Sequence, residues 1–465
     1  MTVKVAQESQ IFQSQVAKLV PNVISGDGVR ITIEDPYTGK VYECIDAVTG
    51  AAVGALGWHD KDVPGFYKEA LDNSTYSFTA CVGNKNAEAL ANFLIENSPK
   101  GAFNAALFVG SGSEANDNAM KIIRQYYLEK GKPKKTKFIG RECSYHGFTI
   151  GSMSLSSGFR SDIFKEISLP AEQCPTIDVC YPYRKQGNLT TEEYVEKLLA
   201  NAEDVILKAD PETVASLTVE TLPGSTLGTV PPPPGYLSGL RKLCTKYDIV
   251  FHLDEVMCGT GRCSENLHCW ENFLEPGEGP DIQTIGKTLG SGYVTIAGVL
   301  VSPKIRDTVV AGTGVVIGGH TYSDHALNCY VALKIQEKIK ELNLTSNIFR
   351  MGNLMGKLLK KELSDFAIVG DVRGIGGFWS VEIVQNKETK ESFPKELDVA
   401  HMLSDIALEK GLSIMALQGA NNNAGDHMIF APAFIVTEKD VEEMVSKAKD
   451  VFAQLEKELA HKGLI

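Results

Sequence analysis

The order of apolar and polar positions changes character along the chain. Near the start, Val29, Ile31 and Ile33 alternate with polar residues as in a half-buried strand. A turn-forming run at 35–39 follows, and a second strand pattern returns at 41–45. From about residue 76, short apolar runs alternate with helical patterns instead. The first part of the chain is therefore a strand-rich lead-in to a differently organised region.

The central region repeats the order strand, helix, strand. Its predicted strands are residues 105–109, 138–139, 214–219 and 249–253. A predicted helix at 236–246 follows a run of four prolines at 231–234, which is a stiff connector. Strands that alternate with helices are typical of an α/β fold, with a mostly parallel sheet flanked by helices.

The last part of the chain differs again. A predicted helix from about Ala326 leads out of the central region, and residues 373–384 read as strand-rich. The final helix is capped by Thr437 and keeps one apolar face. We expect an N-terminal segment at 1–75, a large domain at 76–335 and a smaller α+β domain at 336–465. The N-terminal segment is expected to pack with the small domain.

Charge narrows the range of partners. The chain has 46 basic and 58 acidic residues and a formal net charge of -12. This disfavours nucleic acid and anionic membranes as partners, since both require a strongly basic surface. No apolar run is long enough to span a membrane. The polar opening, Met1 to Gln13, lacks the apolar core of a signal peptide, so the sequence predicts a cytoplasmic protein.

The ten cysteines are too few for a disulfide scaffold, and none forms a C-x-x-C pair. The spacing of Cys258, Cys263, His268 and Cys269 fits no common zinc site. We therefore predict reduced thiols and no metal site.

Candidate chemistry lies where the central strands end. Ligands of open α/β sheets bind beyond the carboxyl ends of the strands. The run 110–116 is rich in glycine and serine and opens a helix, which suits a phosphate. The aromatic run 144–147, Glu220, Asp254 and Lys287 follow later strands. Each feature alone is weak, but together they could converge on one cofactor.

Five runs in this order resemble the class III, or omega, aminotransferases. They are Ser111-Gly112-Ser113-Glu114-Ala115-Asn116, Ser144-Tyr145-His146-Gly147, Asp254-Glu255-Val256 with Gly259-Thr260-Gly261-Arg262, Gly286-Lys287, and Gly319-His320-Thr321-Tyr322-Ser323. The resemblance extends from about Gly28 to Thr437. It implies a pyridoxal 5'-phosphate (PLP)-dependent transferase of fold type I.

The resemblance also implies catalytic roles. Lys287 would hold PLP as a Schiff base and then move the substrate proton, which requires a neutral amine; burial can lower a lysine pKa to about 7–8. Asp254 would pair with the pyridine nitrogen of the cofactor and keep the ring an electron sink. Such a charge-assisted hydrogen bond contributes roughly 1.5–3 kcal/mol.

Further cofactor contacts follow from the same resemblance. Ser111, Gly112 and Ser113 would hold the phosphate, while Tyr145 and Val256 would cover the two ring faces. Glu220 resembles a glutamate near the ring hydroxyl, although Thr221 follows it where many members have proline. Thr321 resembles a residue that reaches the phosphate of a neighbouring subunit, which implies a homodimer with shared active sites.

Other functions fit the residues less completely. A dinucleotide-dependent oxidoreductase could use Gly110-x-Gly112-x-x-Ala115, with Glu142 for the ribose. That leaves Asp254 and Lys287 without a role. A phosphate-loop NTPase needs a glycine at Asp281, and a non-catalytic PLP-binding protein would not need both Lys287 and Asp254.

Within PLP chemistry, racemases (epimerases), decarboxylases and phospho-lyases use the same scaffold, so transamination is favoured without excluding them.

Many amine–pyruvate members carry an arginine for the acceptor carboxylate before their C-terminal Gly-Asp, but residues 421–426 contain none. Those members also tend to place a tryptophan where Ala51 follows Thr49-Gly50. We expect a roomier, less charged pocket for a bulky or long-chain amine, which Trp58, Tyr76 and Phe78 could line. Either another cation binds the acceptor carboxylate, or the acceptor is an aldehyde.

Overall fold

The computed structural model describes residues 9–12, 16, 19–421 and 424–465 of the chain. In these ranges the strands are β1 (Asn22–Asp27), β2 (Arg30–Glu34), β3 (Val41–Asp46), β4 (Ala105–Val109), β5 (Lys137–Arg141), β6 (Thr176–Ile177), β7 (Val214–Glu220), β8 (Val250–Asp254), β9 (Ile282–Ile285), β10 (Ala297–Val301), β11 (Val369–Ile375), β12 (Phe378–Ile383), β13 (Leu412–Ser413), β14 (Met415–Asn421) and β15 (Ala424–Phe430).

The helices in the same ranges are α1 (Thr49–Ala52), α2 (Val63–Asn73), α3 (Lys85–Glu96), α4 (Gly112–Glu129), α5 (Ile150–Leu155), α6 (Phe159–Asp162), α7 (Pro182–Lys185), α8 (Thr191–Lys208), α9 (Tyr236–Lys246), α10 (Pro303–Ala311), α11 (Ala326–Glu341), α12 (Leu344–Leu363), α13 (Val399–Glu409) and α14 (Glu438–His461). Short 3₁₀ turns lie at Lys165–Ile167, Cys269–Asn272, Lys287–Leu289 and Lys395–Leu397.

The central sheet has the spatial order β4-β10-β9-β8-β7-β5-β6. Strands β9, β8, β7, β5 and β6 pair in parallel, and β10 runs antiparallel to both β4 and β9. The carboxyl ends of β4, β7, β8 and β9 therefore lie at one edge of the sheet. This confirms the predicted α/β fold with a mostly parallel sheet.

Helices cover both faces of this sheet. On β8, Val250 packs in the cluster that contains α4, whereas Phe251 packs in the cluster that contains α8 and α9. Successive residues of a strand point to opposite faces, so each face has its own apolar core. This explains why all five residues of β8 are buried, rather than every second one.

Two smaller sheets involve the ends of the chain. One has the order β1-β2-β3-β13, with β13 parallel to β3 at the pair Leu412 and Ile45. The other is antiparallel, in the order β11-β12-β15-β14, and contains the strands predicted at 373–384. The division at residues 75 and 335 stays a proposal; the β3–β13 pairing supports packing of the N-terminal segment against the C-terminal part.

Several helix boundaries follow local rules that the sequence displays. The predicted cap is confirmed at α14, where Thr437 Oγ1 accepts a hydrogen bond from Asp440 N. Helix α9 has the predicted bounds, Tyr236 to Lys246. Within the described ranges, we find no helix with the length and apolar character of a membrane span.

Helix α12 packs closely against the turn between β11 and β12. A Cβ added to Gly352 would overlap the carbonyl group of Gly376, which is backbone and cannot rotate away. We expect Gly352→Ala to destabilise the protein by about 1–3 kcal/mol, measured by urea unfolding. Gly65→Ala in α2 is the matched control, because nothing lies within 4 Å of its added Cβ. The free energy of unfolding of this control should rise by up to about 1 kcal/mol. Equal decreases of that free energy in both variants would contradict the close approach of Gly352 to Gly376.

Candidate active site

A cavity of about 450 Å³ opens at the edge where β4, β7, β8 and β9 end. Eight of the nine predicted site residues line it, namely Ser111, Gly112, Ser113, Tyr145, Glu220, Asp254, Val256 and Lys287. These residues come from strand ends, a helix start and loops that are far apart in sequence, and they meet because the strands are aligned. The ninth, Thr321, is exposed and is not among the described residues that line this cavity.

The start of α4 forms one wall. Ser111 caps the helix, with its Oγ accepting a hydrogen bond from Glu114 N at 3.3 Å. A Cβ on Gly112 would lie 2.7 Å from Val256 Cγ1, so only glycine fits here. Ser113 Oγ accepts a hydrogen bond from Phe148 N at 2.9 Å, which ties the helix start to the aromatic loop. Free backbone N–H groups at a helix start favour an anion such as phosphate.

Asp254 provides a buried negative charge. Its Oδ2 lies 2.8 Å from His146 Nδ1 and 2.9 Å from Asn116 Nδ2. Its Oδ1 accepts a hydrogen bond from Val256 N at 3.0 Å. Burial alone would raise the pKa of Asp254, but the bond and charge of His146 and the Val256 N–H outweigh it, so the pKa is lowered. The carboxylate is therefore ionised at neutral pH.

A chain of hydrogen bonds continues behind Asp254. Asn116 Oδ1 accepts from Thr284 Oγ1 at 3.1 Å, and Thr284 Oγ1 lies 3.3 Å from His252 Nε2. Burial lowers the pKa of His252 to about 3, so this imidazole is neutral. This series of hydrogen bonds fixes the orientation of the Asn116 amide, which in turn orients the Asp254 carboxylate.

Lys287 follows β9 in a strained backbone conformation. Its φ of +46° lies in the left-handed region, which costs a non-glycine residue about 1–2 kcal/mol. Part of the side chain is accessible from the cavity. Burial lowers the pKa of Lys287, although the charges of Asp254 and Glu220 oppose this shift. The site thus moves its amine toward the neutral form that a nucleophile or base requires.

Glu220 ends β7 beside Arg141. The Arg141 guanidinium donates to the backbone oxygen of Glu220 at 3.3 Å and lies 3.8 Å from its carboxylate. Burial raises the pKa of Glu220 to about 7 against the opposing charges of His146 and Arg141. Within the described residues, Glu220 Oε2 has no hydrogen-bond partner. A buried acceptor without a partner is suited to a donor on a ligand.

Sequence reasoning missed the roles of Asn116 and His146. Both stand in the quoted runs, but their shared contact with Asp254 spans more than a hundred residues of chain. The three aromatic residues expected to line the pocket are not among the described residues that line this cavity of the single chain. Trp58 Nε1 donates to Asp46 Oδ2, Tyr76 hydrogen-bonds to the Thr321 backbone oxygen, and Phe78 lines a separate groove. Residues 422–423 of the arginine-free stretch lie outside the described ranges.

The family model "Aminotransferase class-III" matches residues 12–452. An aminotransferase of Gibberella zeae is 38% identical over 435 residues, which are 92% of this chain and 83% of that protein. The solved structure of the omega-transaminase of Pseudomonas jessenii in complex with PMP has a TM-score of 0.87 and 28% identity, with 97% of both chains covered.

A second solved structure is a variant of a thermostable omega-transaminase engineered for asymmetric synthesis of enantiopure bulky amines. It has a TM-score of 0.85 and 28% identity, covering 96% of this chain and 97% of that chain.

Proposed function

The chain belongs to the class III aminotransferases, and we propose that Lys287 and Asp254 perform the central steps of its PLP-dependent transamination. The enzyme transfers an amino group from an amine donor to a carbonyl acceptor. The observation that supports these roles is that both side chains, from the ends of adjacent strands, line one cavity. The dinucleotide alternative gives neither residue a function.

The residues present fit the cofactor. The start of α4 with Ser111 and Ser113 offers donors for a phosphate, and these residues line a cavity of about 450 Å³. Asp254 offers an anion for a pyridinium nitrogen, and Glu220 offers an acceptor, Oε2, that receives no hydrogen bond from the described residues. When bound, PLP supplies an electron sink for the substrate carbon that loses its proton.

The protein's own side chains bind the cofactor, move the proton and orient the charged groups. Lys287 Nζ holds the cofactor and, as a neutral amine, takes and returns the substrate proton. His146 and Asn116 keep Asp254 ionised and oriented. Tyr145 lies at the cavity wall, where an aromatic ring can cover a cofactor face.

Replacement of Lys287 tests the proposal. Lys287→Ala should bind PLP, fail to form a covalent adduct on borohydride reduction, and lose at least about 10²–10⁴-fold in turnover, because the base is absent. The visible absorption band measures PLP binding, and mass spectrometry of the reduced protein measures the covalent adduct.

A second experiment distinguishes transamination from the other PLP reactions. The wild-type protein mixed with an amine alone should convert to the pyridoxamine form and stop, unlike a racemase or decarboxylase.

The control for the replacement of Lys287 is Lys246→Ala, which removes a lysine on the surface helix α9. It should keep the adduct, the absorption band and the rate. An unchanged rate or an unchanged adduct in Lys287→Ala would refute the assignment.

The described part of the cavity suits a weakly charged substrate. Among the described residues that line it, Lys287 is the only lysine or arginine. Residues 421–426 contain no arginine, and Ala51 stands where a bulky tryptophan is common. The structural neighbour that was engineered for asymmetric synthesis of enantiopure bulky amines supports such a substrate class for this chain. We propose a large aliphatic amine as the preferred donor, with an aldehyde acceptor or a 2-oxo acid bound by a cation elsewhere.

The preference for substrate size can be tested by steady-state kinetics with large and small amines. The kcat/KM value for a large aliphatic amine should exceed those for beta-alanine and 4-aminobutyrate. Val53→Trp, at a residue that lines the cavity, should lower the value for the large amine by about tenfold and leave the small amines nearly unchanged. Val41→Trp, on an exposed position of β3, is the control. A preference of the wild type for the small amino acids would refute this substrate class.

A homodimer would complete the site. Thr321 is exposed beside a groove of about 970 Å³ whose lining includes Phe78, Val316 and Ile317. Ile317 is 67% exposed, and apolar side chains grouped at a surface indicate an interface. We propose that a second copy covers this groove and brings Thr321 to the phosphate of its neighbour.

For the proposed dimer, we expect analytical sedimentation of the wild type to give the mass of two chains. Ile317→Glu should shift the mass toward a single chain and weaken PLP retention, because a charge would be buried at the interface. Leu207→Glu, 53% exposed at the end of α8, should change neither property. A wild-type protein that sediments as one chain while retaining PLP would contradict shared active sites.

The proposed location is the cytoplasm. All ten cysteines are free in the structure, and free thiols fit a reducing compartment.

A further inference from the structure

A buried ionic cluster joins the C-terminal sheet to the central part of the molecule. Glu382 of β12 is fully buried, and its carboxylate lies 2.6 Å from Arg184 Nε and 2.6 Å from Arg373 NH1. Tyr181 also donates its hydroxyl hydrogen to Glu382. Arg184 and Tyr181 belong to the α7 region, whereas Arg373 belongs to β11. One carboxylate therefore links two arginines from different parts of the fold.

The two arginines differ in what else they bind. Arg373 Nε donates to Gly228 O at 2.6 Å, and Arg373 NH2 donates to Leu227 O. In return, the Arg373 backbone oxygen accepts a hydrogen bond from Thr229 Oγ1 at 2.9 Å. One residue of β11 thus holds three consecutive residues of the loop that follows β7.

Arg184 makes no such contact within the described ranges. Its remaining donors reach Lys390 O at 2.6 Å and Ser392 Oγ at 3.2 Å, outside that loop. Arg184 and Arg373 therefore share the charge of Glu382 but differ in their contact with residues 227–229.

The held loop is also part of the active-site wall. Leu222 and Ser225 line the cofactor cavity, and Thr226 lines a small adjoining cavity together with Tyr145. Thr229 has a φ of +23°, a backbone conformation that is unfavourable unless its surroundings hold it. Residues 227–229 therefore connect the bonds of Arg373 directly to the cavity wall at 222–226.

We propose that Arg373 is a positioning residue that sets the shape of the amine side of the active site. It fixes the wall at 222–226 through the carbonyl groups of Leu227 and Gly228, and Glu382 and Asp371 supply the negative charge that allows a buried guanidinium there. Arg373 is not among the described residues that line the cavity. The inference rests on the proposed function only in that the cavity is where the amine binds.

The matched variants are Arg373→Met and Arg184→Met. Both remove one cationic partner of Glu382, so both should lose stability, but only Arg373→Met frees the loop. We expect amide hydrogen exchange at residues 224–230 to become at least about tenfold faster in Arg373→Met and to stay within about threefold of wild type in Arg184→Met. The KM for the amine should rise by about tenfold in Arg373→Met, with kcat and the cofactor absorption band nearly unchanged.

Equal exchange rates at 224–230 in the two variants, or an unchanged KM in Arg373→Met, would overturn the inference. If Arg373→Met does not fold, Thr229→Val removes one loop bond while leaving every charge in place. It should change exchange and KM in the same direction by a smaller factor, and no change would also refute the role. Absence of transamination in the wild type would instead refute the proposed function, while the exchange measurement would still decide the role of Arg373.

Discussion

The buried carboxylate of Asp254 is the constraint on which the site depends. A charge in the interior is tolerated only when hydrogen bonds and opposite charge compensate for lost water. His146, Asn116 and the Val256 N–H provide that compensation from three different segments. Because they must converge on one side chain, the loops after β5 and β8 and the start of α4 have little freedom. The relative placement of these three segments follows from satisfying this one charge.

The parallel sheet makes this convergence possible. Its aligned strands end at one edge, so loops distant in sequence meet there. The same alignment brings Lys287 from the end of β9 beside Asp254 from the end of β8. Electrostatics then separates their roles, because burial favours a neutral lysine while the partners of Asp254 keep it charged. One scaffold thus favours the deprotonated form of both groups, which is a charged carboxylate at Asp254 and a neutral amine at Lys287.

Segments outside the central sheet complete the wall of the cavity. Strand β13 extends the N-terminal sheet, and β11 and β12 carry Arg373 and Glu382 against the loop after β7. Buried charges at such a junction favour one relative arrangement, because removing a partner leaves the other uncompensated. The sheet of β11, β12, β15 and β14 is therefore connected to the cavity wall by defined polar contacts.

Local patterns were enough to predict the alternating fold, the cap at Thr437 and the strand-end positions of Asp254 and Lys287. Each is set by neighbours within a few residues or by the rule that ligands bind at strand ends. The sequence could not reveal that Asn116 and His146 share Asp254, or that Arg373 holds the loop at 227–229. Those contacts join residues separated by long stretches of chain, and only the packing of helices and sheets decides which of them meet.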